Sequence, residues 1–81
     1  METLRYNAVF RPEPEGGFTV IVPSLPGCIT YGRNLAEARK MAKDAIKGYL
    51  ISLRKHRETI PGPDIESLIT AIELKQSFLR A

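Results

Sequence analysis

Leu4, Tyr6, Ala8 and Phe10 alternate with Arg5, Asn7, Val9 and Arg11, a period-two pattern that predicts a strand with one buried face. Pro12-Glu13-Pro14-Glu15-Gly16-Gly17 interrupts it. Proline lacks the ladder donor and the glycine pair tolerates positive φ, so a hairpin loop is expected there. Phe18, Val20 and Val22 resume the alternation beside β-branched Thr19 and Ile21, predicting a second strand, and Cys28 to Tyr31 predicts a short third one. From Leu35 to about Arg54 the period becomes helical. Leu35, Ala38, Met41, Ala42, Ala45, Ile46, Tyr49 and Leu53 share one side, while Arg39, Lys40, Lys43, Lys47 and Arg54 cluster on the other. Ile51 falls on the polar side, as a lone exposed apolar residue or a small contact surface. Lys55 to Pro63 reads as a loop closed by Pro61-Gly62-Pro63.

The stretch Pro23 to Glu37 joins the strands to the helix. Pro23 and Pro26 fix φ and push the preceding residues towards extended geometry, while Gly27 and Gly32 are expected to supply positive φ. Asn34 then caps the helix, and Glu37 three places on completes a capping box.

The tail fits two patterns. Ile65, Leu68, Ile69, Ile72 and Leu79 suit a helical stripe, whereas Leu68, Thr70, Ile72 and Leu74 suit a strand. A three-stranded meander under one helix leaves a free edge, so a strand at about Ser67 to Lys75 is preferred, parallel to the first with the helix as crossover. The expected class is α+β, ordered β-β-β-α-β. Residues 1–81 are expected to be a single domain.

Composition narrows the picture. A chain of 81 residues, 43% hydrophobic and 26% charged, is globular rather than disordered. A domain of this size buries only about 60–65% of its unfolded surface, so association with a second copy or a partner is expected. Val20-Ile21-Val22, among the longest apolar runs, falls far short of the roughly 20 residues that span a membrane. Met1 to Arg5 lacks the pattern of a secretory signal. One cysteine permits no internal disulfide, consistent with a cytoplasmic location. From Arg33 to Arg57, eight basic residues face two acidic ones, a net of +6; elsewhere four basic residues face seven acidic ones, a net of −3.

Catalytic chemistry finds little footing. Cys28 would need an activating base, and the only histidine, His56, lies beyond the far end of the helix, so Cys28 reads as a small buried residue. One histidine and one cysteine do not build a zinc site. Strand centres carry no acid before Glu73, which argues against two-metal hydrolysis, and no glycine-rich phosphate loop is present. No cofactor, metal or membrane partner is expected. The row Arg39, Lys43, Lys47 is offset only by Lys40 with Asp44 and Glu37 with Lys40, and is either a solvated face or a site for phosphates or an acidic protein surface.

Gly16-Gly17-Phe18-Thr19-Val20, Val22-Pro23-Ser24-Leu25-Pro26-Gly27-Cys28 and Gly32-Arg33-Asn34-Leu35-Ala36-Glu37-Ala38, with Ala42, Ala45-Ile46, Tyr49-Leu50 and Ile60-Pro61, resemble the HicB-like antitoxin family over roughly residues 3–75. Ser24 and Arg33 stand where acidic residues are common in that family. The resemblance implies a partial ribonuclease H-like fold without nuclease activity. It also implies occlusion of a small HicA-type ribonuclease toxin and association as dimers or higher oligomers. Family members often carry a C-terminal DNA-binding domain; Gln76 to Ala81 is too short for one, so none is expected here. The rival expectation is nucleic-acid binding through Arg39, Lys40, Lys43, Lys47 and Arg54.

Overall fold

β1 (Val9–Pro12), β2 (Phe18–Ile21) and β3 (Ile29–Gly32) pair antiparallel in the order β1-β2-β3. Val9 lies opposite Ile21, and Ile21 opposite Ile29. These come from a computed structural model that describes residues 3–65 and 67–80; Met1, Glu2, Glu66 and Ala81 lie outside the described residues. The hairpin forms where prolines and glycines forbid a ladder: Glu13 N–H donates to Gly17 O at 3.0 Å and Gly16 N–H to Glu13 O at 2.9 Å.

The first strand is shorter than the alternation predicts and shifted towards the loop. Residues 3–8 are unpaired, and Pro12 belongs to β1 rather than to the hairpin. The partner sets this limit. β2 ends at Ile21, and Val22 N–H turns away to Cys28 O at 3.1 Å, so residues 4–8 have no strand beside them. Pro12 is tolerated because it closes an edge strand.

One helix, α1 (Leu35–Lys55), packs across one face of the sheet. Val20, Ala38 and Ala42 form one part of the core, and Val22, Leu25 and Cys28 the other, with Tyr6, Ala8, Ala45, Ile46, Tyr49 and Leu50 packed against the second. The buried helical stripe is narrower than expected. Leu35 and Met41 are exposed, because three short strands cover only the middle of the helix face; Leu4, in the unpaired residues 3–8, is exposed at 51%. Leu50 joins the core side although the pattern did not place it there. The helix ends with Glu58 N–H donating to Leu53 O at 2.8 Å and Arg57 N–H to Arg54 O at 3.1 Å, with Arg57 at φ 57° taking the left-handed position that glycine usually fills.

The fourth strand is the main correction. Residues 67–75 form neither strand nor helix, and a short 3₁₀ stretch follows at Gln76–Arg80. Pairing alongside residues 5–7 starts and then stops. Asp64 N–H donates to Arg5 O at 2.7 Å, as a parallel neighbour would, but the next edge donor, Asn7 N–H, goes to the Asp64 carboxylate at 2.8 Å. The Asn7 side chain then takes Ile65 O at 3.1 Å. Side chains have captured the groups that a ladder would use. Beyond this knot the apolar tail is bare, with Leu68 90% and Ile72 80% exposed.

Candidate interaction surfaces

The turn from Pro23 to Gly32 is built by backbone and sealed by one side chain. Leu25 N–H donates to Val22 O at 3.0 Å and Cys28 N–H to Leu25 O at 2.9 Å, so the loop folds over Leu25, which is fully buried. Gly27 takes φ 83°, where a β-carbon is strained. Gly32, expected to need the same freedom, does not adopt positive φ; it is small because β3 meets the helix there, and a β-carbon would run into the Ala38 backbone and lie 2.8 Å from its Cβ. Tyr49 donates to Pro26 O at 2.8 Å, and Tyr6 donates to Pro61 O, tying turn and exit loop to the body. Pro23 and Pro26 are exposed, and Cys28 is buried with its thiol pKa raised by desolvation. A buried thiol so shifted is a poor nucleophile.

At the helix start, Asn34 Oδ1 accepts from Glu37 N–H at 2.8 Å. The reciprocal half closes one residue earlier than the capping-box pattern predicts. Glu37 accepts from Arg33 N–H at 3.1 Å and from the Arg33 guanidinium at 2.8 Å. Those bonds, the guanidinium's first, hold the Glu37 carboxyl below its ordinary pKa. Glu37 is therefore engaged by Arg33 rather than by Lys40, and no ion pair joins Lys40 to Asp44 among the described residues. Arg39, Lys40, Lys43, Lys47 and Arg54 stand exposed along the helix without an acidic partner among the described residues.

Two surfaces are open to a partner. On the face away from the helix, Val9, Ile21 and Ile29 align across the three strands, with Ile29 60% exposed and Tyr31 beside it. On the helix side, a groove of about 960 Å³ opens between residues 3–8 and α1, floored by Tyr6, Ala8, Phe10, Ile46 and Leu50. A smaller polar hollow of about 430 Å³ lies at the root of the tail. Ser24 Oγ donates there to Asp64 Oδ1 at 2.6 Å, and with the Asn7 N–H it lowers the Asp64 pKa, the Ser24 bond contributing most.

The pattern reading missed the roles of Asn7, Asp64 and Leu25, and it singled out Ser24 without foreseeing its bond to Asp64. Asp64 directly after Pro61-Gly62-Pro63 is the signal that could have suggested a side chain closing a turn. The structure does not bring Cys28 and His56 into hydrogen-bond contact; His56 Nδ1 lies 2.8 Å from Ser52 O at the helix end. Among the described residues no group of three or more His, Cys, Asp or Glu is placed to hold a metal, and no helix is long and apolar enough to cross a membrane.

A family model described as the HicB-like antitoxin of bacterial toxin-antitoxin systems matches residues 6–79. The chain is 38% identical over 65 residues to a UPF0150 protein of Thermoplasma acidophilum, covering 80% of this chain and 94% of that protein. It is 37% identical over 60 residues to Antitoxin HicB of Escherichia coli K12, covering 74% of this chain but only 44% of that protein. An uncharacterised 14.9 kDa protein of Haemophilus phage HP1 is 37% identical over 60 residues, with 73% of this chain and 45% of that protein covered.

Proposed function

The chain belongs to the HicB-like antitoxin family, and from that premise we propose that it is a non-enzymatic module that covers a small HicA-type ribonuclease toxin and self-associates. The observation that carries this reading is the family match across residues 6–79, beside the 37% identity over 60 residues to a relative named as an antitoxin. An antitoxin of this kind needs no chemistry of its own; it needs a rigid surface that fits the toxin better than substrate does. A sheet with one face left uncovered supplies such a surface, and its apolar row Val9, Ile21 and Ile29 supports the assignment.

The ribonuclease H-like form belongs to the same proposal. In it, residues 67–75 become a strand parallel to β1 only when a partner is engaged, and the protein works in the cytoplasm beside its toxin. Co-expression with the small protein encoded beside its own gene tests the reading. Growth arrested by that protein is expected to recover, and the two chains are expected to purify together. Growth that stays arrested, with this chain recovered alone, overturns it.

A further inference from the structure

We propose that the groove between residues 3–8 and α1 binds single-stranded nucleic acid, with phosphates on the basic helix row and bases against the apolar floor. This activity lies beyond the covering of a toxin and does not depend on it. Three observations carry it.

The first is charge. Arg39, Lys40, Lys43 and Lys47 line one wall of the groove and Arg5 the other, and no carboxylate is among the described residues that line it. All five cations are exposed, and none pairs with an acid among the described residues. Arg39, Lys43 and Lys47 stand four apart on the helix, where like charges repel. A polyanion in the groove relieves a repulsion that the chain itself leaves standing. The set also differs from the one spacing suggested: Arg54 does not line the groove, whereas Arg5, from the opposite wall, does.

The second is spacing. Four helical residues rise about 6 Å, so the row Arg39, Lys43, Lys47 runs about 12 Å along the axis. The step is close to the distance between neighbouring phosphates on one strand, and the row therefore tracks a sugar-phosphate backbone. Lys40 and Arg5 flank that track.

The third is the floor. The helix has one aromatic residue, Tyr49, and its hydroxyl donates to Pro26 O in the turn. The fold brings two other rings to the basic row: Tyr6 and Phe10 both line the groove. Each is half-buried against the core, and Tyr6 is also tied to Pro61 O, so the platform is ordered before a ligand arrives. Aromatic side chains in a basic groove stack bases whatever their sequence. Paired bases in a duplex keep their faces from such a floor, and an acidic peptide has no need of rings; the arrangement favours an unpaired strand.

The test titrates the full chain into fluorescein-labelled oligo-uridine and oligo-deoxythymidine of about ten nucleotides, followed by anisotropy. Binding to at least one is expected, with a log-log salt slope of about −2 to −3.5, as three to five phosphate contacts on a single strand give. Lys43→Gln with Lys47→Gln is expected to weaken binding by about tenfold or more and to flatten that slope by about 1–2. Lys75→Gln with Arg80→Gln removes the same charge from residues that do not line the groove, and is expected to change affinity by less than about threefold. Tyr6→Leu, with its circular dichroism unchanged, is expected to cost about fivefold or more at the original salt slope, which separates stacking from charge. A further readout needs no substitution: oligo-uridine added to ¹⁵N-labelled chain is expected to shift the Tyr6, Phe10, Lys43 and Lys47 amides and to leave Ile29 and Tyr31 in place. No binding at low salt, shifts confined to Ile29 and Tyr31, or a duplex bound as tightly as the single strands overturns the proposal. Polyglutamate bound as tightly also overturns it and gives the groove to an acidic protein. None of these outcomes bears on whether the toxin is covered.

Discussion

At Gly32 the chain passes from β3 towards the helix with no room for a side chain, because the Ala38 backbone occupies the place where a β-carbon would sit. Gly48 is its opposite, in mid-helix with open space around it. The two glycines therefore answer the same substitution with opposite signs. Gly32→Ala forces strand and helix apart and is expected to destabilise by about 1–3 kcal/mol. Gly48→Ala removes a helix-weakening residue and is expected to stabilise by about 0.5–1 kcal/mol. Urea unfolding followed by circular dichroism measures both. A harmless Gly32→Ala would mean that β3 and the helix do not approach as closely as described.

Among the elements, what could be read beforehand is what local pattern controls. The hairpin, β2, β3 and the helix follow from period, turn residues and cap, and their bounds shift by a residue or so. Strand 1 and the tail depended instead on what lay beside them. Leu4 to Phe10 carries the alternation of a full strand, but β2 is too short to pair it. Ser67 to Lys75 carries a strand pattern too, yet three polar side chains, Asn7, Ser24 and Asp64, intercept the edge. No periodicity announces such an interception, and the same holds for the candidate contacts. The basic row was evident from spacing, while the groove beside it, between residues 3–8 and the helix, was not. These polar ties also set the response to acid. Glu13, held mainly by the Thr19 hydroxyl, Glu37, held mainly by Arg33, and Asp64, held mainly by Ser24, have folded pKa values below their ordinary ones. For a depressed carboxyl, the added stability is complete above the ordinary value and is lost as pH falls through the folded value. The urea midpoint is thus expected to hold at neutral pH and fall once pH drops below the ordinary 4.5 of the glutamates and 3.8 of Asp64. Asp64→Asn should flatten the last part of that fall; a midpoint indifferent to acid would show these ties to be absent in solution.

Across the whole molecule, the sheet separates two surfaces of different character. The helix side carries the net +6 of Arg33 to Arg57, and the open side presents the apolar row Val9, Ile21 and Ile29. A ribonuclease that grips RNA must itself offer positive charge to the phosphates. In the proposed reading such a toxin would be repelled by the helix side and met without that penalty by the open side. In the proposed complex the open face therefore covers the toxin, and the helix side is left free. Replacing the apolar row by charge of the toxin's own sign should break the complex twice over, by removing buried area and by adding repulsion. Val9→Lys with Ile29→Lys is expected to weaken toxin binding by about 100-fold or more, measured by calorimetry on a variant whose circular dichroism is unchanged. Lys55→Glu, at the end of the helix, is expected to leave binding within about threefold, because it sits far from the buried centre where binding energy concentrates. The reverse outcome, with the sheet variant binding normally and Lys55→Glu abolishing binding, would move the toxin to the helix side.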